Sequence, residues 1–192
     1  MNREGLQFPL TVWLIITVVY GVALFAFKTY EYPSLIYHFA LLALTLYCAR
    51  TRAELGLQKG KIRYGVILIL AFVGYLLLNI VLHGVGKFTL AFDEPTISLI
   101  IVAPVVEELF WRGLILQRML KLPKADWTLA CIINAALFAA MHIPKILFFG
   151  ESTIYFLSIL IVGVVFAFTF YASKSSYYSM IMHTLENIVT AL

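Results

Sequence analysis

Seven runs of apolar residues, separated by short polar connections, dominate the sequence. They cover residues 9–27, 33–49, 64–82, 97–120, 127–149, 153–172 and 177–192, of which the second and seventh are short. A helix needs about 20 residues to cross a hydrocarbon core about 30 Å thick. Lipid offers no hydrogen-bond partners to an open sheet edge, so the runs predict helices. We therefore expect an all-α, polytopic transmembrane bundle of about seven spans, within a range of six to eight.

The composition supports an integral membrane protein. Hydrophobic residues make up 62% of the chain and charged residues 12%, whereas soluble domains carry about 25% charged residues. We expect one domain over residues 1–192. The net charge of +4 is typical of loops that face an anionic leaflet rather than of a nucleic-acid-binding patch. We expect Cys48 and Cys131, both in apolar runs, to be small buried side chains rather than a disulfide.

The basic residues predict the orientation of the bundle. With seven spans, ten of the fourteen lysines and arginines fall on one side of the membrane. They are Arg3, Arg50, Arg52, Lys59, Lys61, Arg63, Arg118, Lys121, Lys124 and Lys174. The positive-inside bias makes that side cytoplasmic. We therefore expect a multi-pass membrane protein with its N-terminus in the cytoplasm. We expect the membrane to be the inner membrane of a prokaryotic cell.

The fourth run contains the segment VVEELFWRG (105–113), which has three ionisable side chains inside an apolar helix. Such residues are rare in membrane spans and usually face a partner or a cavity. Glu108 and Arg112 are four residues apart, so they share a helix face and are expected to form an ion pair. Glu107 points about 100° away and has no partner on its own helix. A carboxylate of this kind suits proton exchange.

Two later runs add polar residues at helical spacing. His142 lies in FAAMHIP (138–144), and His183 and Asn187 lie one turn apart in MHTLENIV (182–189), with Glu186 beside them. A histidine and an asparagine on one face can donate hydrogen bonds to the same developing oxyanion. The alternative for His142 and His183 is hydrogen bonding between helices. We expect that simpler role for the other polar residues of the spans, His38, Asn79 and His83.

Three motifs now occur in order on apolar helices: EExxxR at Glu107, FxxxH at Phe138 and HxxxN at His183. This set resembles the intramembrane endopeptidases that include the type II CAAX prenyl protease and the bacterial Abi, or CPBP, proteins. The resemblance covers about residues 97–192, the motif-bearing core. Residues 1–96 are similar to the family only in being hydrophobic.

The resemblance implies a glutamate-dependent peptidase with its catalytic site inside the bundle. Glu107 and His142 would activate a water molecule, and His183 with Asn187 would stabilise the oxyanion. Glu108 and Arg112 would hold the fourth helix in place. We expect no metal cofactor, because no helix carries an HExxH motif. The alternative is a zinc site formed by Glu107, His142 and His183.

The expected partners are the lipid bilayer and a membrane-anchored or C-terminally tagged protein or peptide, without nucleic acid. The expected reaction is hydrolysis of a peptide bond near the C-terminus or membrane segment of that substrate. The alternative function is non-catalytic: a proton-coupled carrier, or a bacteriocin-immunity protein that binds a partner. A proton relay has no use for Asn187, which cannot titrate, so the His183–Asn187 pair favours the peptidase.

Overall fold

The computed structural model describes residues 5–29, 31–83, 98–150 and 152–190, and this part of the chain consists of helices joined by short connections without a strand. The all-α prediction is confirmed. Arg3, Lys87 and the side chains of Asn79 and His83 lie outside the described part. The helices are α1 (Gln7–Phe27), α2 (Glu31–Cys48), a 3₁₀ helix (Arg52–Leu55), α3 (Ile62–His83), α4 (98–119), α5 (Trp127–Ala140), α6 (Ile143–Phe149), α7 (Thr153–Ser173) and α8 (Ser176–Thr190).

The central element is α4, and its hydrogen bonding changes along its length. It is π-helical over Ser98–Val102, α-helical over Ala103–Glu108, π-helical over Leu109–Leu116 and α-helical over Gln117–Met119. Every residue from 106 to 116 is buried, because α2, α5, α7, α8 and the 3₁₀ helix all pack against this element. The charged side chains in the middle of α4, at Glu107, Glu108 and Arg112, are therefore shielded from lipid by other helices.

The outer helices expose apolar faces, as a bundle dissolved in lipid must. On α1 the side chains of Leu14, Val18 and Val22 are each more than half exposed. Among the described residues, three stretches are long and apolar enough to cross a membrane by themselves: Gln7–Phe27, Trp127–Phe149 and Thr153–Ser173. The predicted helical membrane bundle is confirmed, and the count of seven crossings stays a prediction.

The fifth apolar run (127–149) is divided into α5 and α6 by a turn at Met141 and His142, where the sequence had predicted one span. The cause is Pro144, near the start of α6. Proline has no N–H to donate to the carbonyl four residues earlier, and its ring clashes with that carbonyl. The break places His142 between two helices rather than within one.

The polar connections meet at one end of the bundle. Arg118 at the end of α4 donates to the main-chain oxygens of Gly5 (3.1 Å) and Cys48 (2.8 Å). The main-chain N–H of Lys61 donates to the oxygen of Ser173. The N-terminal end of α1, the α2–α3 connection, the end of α4 and the α7–α8 connection therefore lie on one side, as the charge pattern predicted. Which compartment this side faces stays a prediction.

Candidate active site

The predicted ion pair between Glu108 and Arg112 is formed, deep inside the bundle. Arg112 Nη1 donates to Glu108 Oε1 at 2.8 Å, and both side chains are fully buried. Arg112 Nη2 donates to the main-chain oxygen of Gly163 on α7 at 3.1 Å, and its guanidinium lies 4.4 Å from the centre of the Phe138 ring. Arg112 thus joins α4 to α5 and α7.

Glu108 also orients His183, which lies on α8. His183 Nδ1 is 3.1 Å from Glu108 Oε1. Because the Glu108 carboxylate is paired with Arg112 and can only accept, the proton of this hydrogen bond is on Nδ1. The other ring nitrogen, Nε2, faces Glu107 Oε2 at 3.8 Å.

Glu107 has a partner that the sequence analysis did not find. Its Oε1 is 2.9 Å from Nε2 of His38 on α2, and both side chains are buried. Helical spacing could not find this partner, because it identifies neighbours on the same helix and His38 lies 69 residues earlier. The expectation for His38, a hydrogen bond between helices, agrees with this contact. A useful signal was available, since His38 is the only His, Lys, Arg, Asp or Glu in the second apolar run.

His142 occupies the turn between α5 and α6. Its Nδ1 is 3.2 Å from the main-chain oxygen of Phe138, and the two rings meet edge to face at 5.3 Å. A carbonyl only accepts, so Nδ1 carries the proton and a neutral His142 has its lone pair on Nε2. Any residue at position 138 would supply this carbonyl, so the phenylalanine of the FxxxH motif contributes its ring, which packs on His142 and lies beside the Arg112 guanidinium.

Two cavities meet at His142. A small cavity is lined by His38, Glu107 and His142, together with Tyr20, Tyr37, Met141 and Lys145. A larger one, of about 360 Å³, is lined by His142, His183, Glu186 and Asn187, together with Tyr75, Phe138, Tyr155, Ser158, Ile159, Ile161, Val162, Phe166 and Thr190. All four predicted catalytic residues therefore line one or both of two neighbouring cavities.

The described side chains are not grouped as a preformed metal site. Within the described ranges, no three His, Cys, Asp or Glu side chains are grouped closely enough to hold a metal ion. Glu107, His142 and His183, the residues of the zinc alternative, belong to the ranges searched. Instead, Glu107 is hydrogen bonded to His38 and His183 to Glu108. The zinc alternative would require these side chains to exchange those hydrogen bonds for metal ligation, and the choice between zinc and a metal-free mechanism stays a prediction.

The comparison with protein families found a match in the second half of the chain. Residues 95–189 match the model of the Rce1-like family, described as type II CAAX prenyl endopeptidase Rce1-like. The match includes Glu107, Glu108, Arg112, His142, His183 and Asn187, and it excludes His38. No match to this chain was found among curated proteins or among solved structures. Through residues 95–189, the chain belongs to the Rce1-like family of type II CAAX prenyl endopeptidases.

Proposed function

We propose that the protein is an intramembrane endopeptidase in which Glu107 and His142 activate water, and His183 and Asn187 stabilise the oxyanion. Membership in a family of CAAX prenyl endopeptidases supports endopeptidase activity in the broad sense. The observation that carries the finer proposal is that His142 lines both cavities. It therefore connects the carboxylate in the small cavity with the larger cavity that Asn187 and His183 line.

The tautomers support a base at Glu107 and His142. A neutral His142 has its lone pair on Nε2, because its Nδ1 donates to Phe138. A water molecule in the small cavity would meet two proton acceptors, the Glu107 carboxylate and this nitrogen. Positioned general bases typically contribute about 10²- to 10⁴-fold to a rate. Glu107 is buried, which keeps bulk water away from its carboxylate.

The two proposed oxyanion donors, Asn187 and His183, differ in the protonation state that each needs in order to donate. Asn187 can donate from its amide at any pH. His183 uses Nδ1 for Glu108, so its Nε2 can donate only when the ring is an imidazolium. A charged donor makes a shorter and stronger hydrogen bond than a neutral one. The ion pair of Glu108 with Arg112 keeps Glu108 an acceptor, and in this way it orients the ring of His183.

In the proposed reaction the water oxygen bonds to the carbonyl carbon of the peptide while one water proton passes to Glu107. His142 accepts a hydrogen bond from the other water proton. The carbonyl oxygen becomes the oxyanion, which His183 and Asn187 bind. Cleavage of the C–N bond then transfers the proton from Glu107 to the leaving nitrogen. The products are a carboxylic acid and an amine, and no metal takes part.

We propose a membrane-anchored or C-terminally tagged protein or peptide as the substrate, cleaved near its membrane segment or C-terminus. The larger cavity supports this choice, because apolar side chains such as Val162 and Phe166 surround its polar groups. We place the protein in the inner membrane of a prokaryotic cell, and the positive-inside bias supports a cytoplasmic N-terminus.

The test is a cleavage assay in liposomes with a library of membrane-anchored peptides. Glu107→Gln and His142→Ala are expected to abolish cleavage while the purified proteins stay folded. The matched control is Glu54→Gln, the same change at a partly exposed carboxylate in the 3₁₀ helix, which is expected to cleave like the wild type. Turnover by Glu107→Gln would contradict the mechanism.

A strong chelator separates the proposal from its alternatives. Cleavage that is lost in Glu107→Gln and unaffected by chelator supports the metal-free peptidase. Cleavage that chelator abolishes and zinc restores would instead make Glu107, His142 and His183 ligands. Absence of cleavage across the library, together with proton transport or toxin binding by the wild type, would favour the non-catalytic alternative.

A further inference from the structure

We infer that His38 is a positioning residue for Glu107: as an imidazolium it holds Oε1 of the carboxylate and leaves Oε2 as the proton acceptor. The inference rests on the proposed function, and it concerns a residue that lies outside the 95–189 family match. It extends the site to α2, in the part of the chain whose sequence carries no family motif.

The two hydrogen bonds of the His38 ring limit where its protons can lie. His38 Nδ1 is 2.7 Å from the main-chain oxygen of Ser34, which can only accept, so Nδ1 carries a proton. On the other side of the ring, Nε2 is 2.9 Å from Glu107 Oε1, a distance that requires one proton between them. Either His38 is an imidazolium beside a carboxylate, or a neutral His38 accepts from the carboxylic acid.

The surroundings of Glu107 favour the first arrangement. His38 reaches it from α2 and His183 from α8, while His142 and Lys145 line the same small cavity. The other side chains that line this cavity are Tyr20, Tyr37 and Met141, so no second carboxylate is among them. Glu108, the next residue, also bonds His183, but its charge is balanced by Arg112. Several basic groups around one carboxylate, with no second carboxylate in the lining of this cavity, favour its ionised form. Only the ionised form can take a proton from water.

The packing of α2 holds the His38 ring in this geometry. Its Nδ1 bond runs to the carbonyl one turn earlier on the same helix, and the ring meets Tyr37 edge to face at 5.6 Å. Tyr37 is fixed in turn by α1, since the Trp13 indole N–H donates to its hydroxyl at 3.1 Å and Tyr20 packs on its ring at 4.7 Å. Helix α1 thus supports α2, and α2 supports the carboxylate.

The first test needs no substrate. The chain has four histidines, so nitrogen NMR of the protein with ¹⁵N-labelled histidine in detergent gives few side-chain signals, and His38 is assigned by their loss in His38→Gln. At neutral pH we expect both ring nitrogens of His38 to be protonated in the wild type. In Glu107→Gln we expect the Nε2 proton to be lost. A neutral His38 in the wild type would overturn the inference.

The second test uses a substrate that the wild type cleaves. In His38→Gln the new amide can still donate to Glu107 Oε1 but cannot carry a charge. We expect kcat to fall by about 10- to 100-fold, a part of what a general base contributes, with KM unchanged. The control is Thr45→Val on the same helix. Thr45 is buried, and its hydroxyl bonds the carbonyl of Leu41 one turn earlier; this variant is expected to keep the wild-type kcat.

The outcomes separate the two hypotheses. Cleavage by Glu107→Gln contradicts the proposed function, whatever His38 does. An inactive Glu107→Gln with full kcat in His38→Gln contradicts only the role of His38, and shows that a neutral hydrogen-bond donor is sufficient. Equal losses of kcat in His38→Gln and Thr45→Val would also contradict it, because general disturbance of α2 would then explain the effect.

Discussion

Each of the three histidines around Glu107 uses its Nδ1 for an oxygen acceptor. For His38 and His142 the acceptor is the carbonyl one turn earlier, and for His183 it is the Glu108 carboxylate. The hydrogen bond at one ring nitrogen determines which atom is available at the other. In all three rings Nε2 is the nitrogen left for the site, and in His38 and His183 it faces Glu107.

At the residue scale, Glu108→Gln is expected to destabilise the protein strongly. It leaves the guanidinium of Arg112 buried without its counter-charge, and breaking a buried pair in this way costs about 3–5 kcal/mol. Thermal unfolding in detergent measures the effect. The control is Glu186→Gln, at a partly buried carboxylate for which the described residues show no ion pair; its unfolding midpoint is expected to change little. Equal shifts in the two variants would contradict a stabilising role of the pair.

At the element scale, hydropathy located the helices but not their internal geometry. The fourth and fifth runs were predicted at 97–120 and 127–149, close to the observed α4 and α5–α6. The π-helical segment Leu109–Leu116 was not predicted, because an apolar run has the same composition whether its carbonyls bond the fourth or the fifth residue onward. π-Helical segments are often found at functional sites, and this one directly follows Glu107 and Glu108.

Two glycine-to-alanine variants, one on α4 and one on α3, are expected to change the stability of the protein in opposite directions. A Cβ on Gly113 would lie 2.6 Å from the carbonyl carbon of Leu55 in the 3₁₀ helix, whereas one on Gly74 of α3 has nothing within 4 Å. Main chain cannot move aside as a side chain can, so Gly113→Ala is expected to cost about 1–3 kcal/mol. Gly74→Ala is expected to stabilise α3 by roughly 0.5–1 kcal/mol.

Both glycine effects are measured as midpoints of thermal unfolding in the same detergent. A Gly113→Ala protein as stable as the wild type would contradict the close approach of α4 to the 3₁₀ helix. The sequence analysis did not single out Leu55, because close contact between distant main-chain segments leaves no hydropathy signal. The same limitation explains why His38 was identified as a polar residue in a span, but not as the partner of Glu107.

At the scale of the whole molecule, the charge pattern correctly grouped the connections that the structure brings together. Arg118 bonds the main chain at Gly5 and Cys48, and the α2–α3 connection bonds the α7–α8 connection. Counting spans and basic residues was sufficient for this, because each crossing reverses the side. The grouping of these connections was therefore predictable from the sequence, whereas contacts between helices were not.

Cysteine labelling tests which side of the membrane is faced by the end of the bundle where these connections meet. Cys48 and Cys131 are buried and free, so a background with both replaced by alanine carries single exposed cysteines at Lys59→Cys or Thr29→Cys, at opposite ends of the bundle. A membrane-impermeant maleimide is expected to label Lys59→Cys only in inside-out vesicles and Thr29→Cys only in right-side-out vesicles. The reverse pattern would place the N-terminus outside.

The hydrogen bonds between the α2–α3 and α7–α8 connections affect the design of chimeras between related proteins. They include main-chain pairs, from Lys61 to Ser173 and from Ser176 to Gly56, which depend on backbone shape more than on side-chain identity. A chimera that grafts residues 98–190 onto a foreign first half would have to reproduce that backbone as well as His38. The motif-bearing segment by itself would lack these main-chain partners and His38, so an exchange between relatives has to include the matching parts of the first half of the chain.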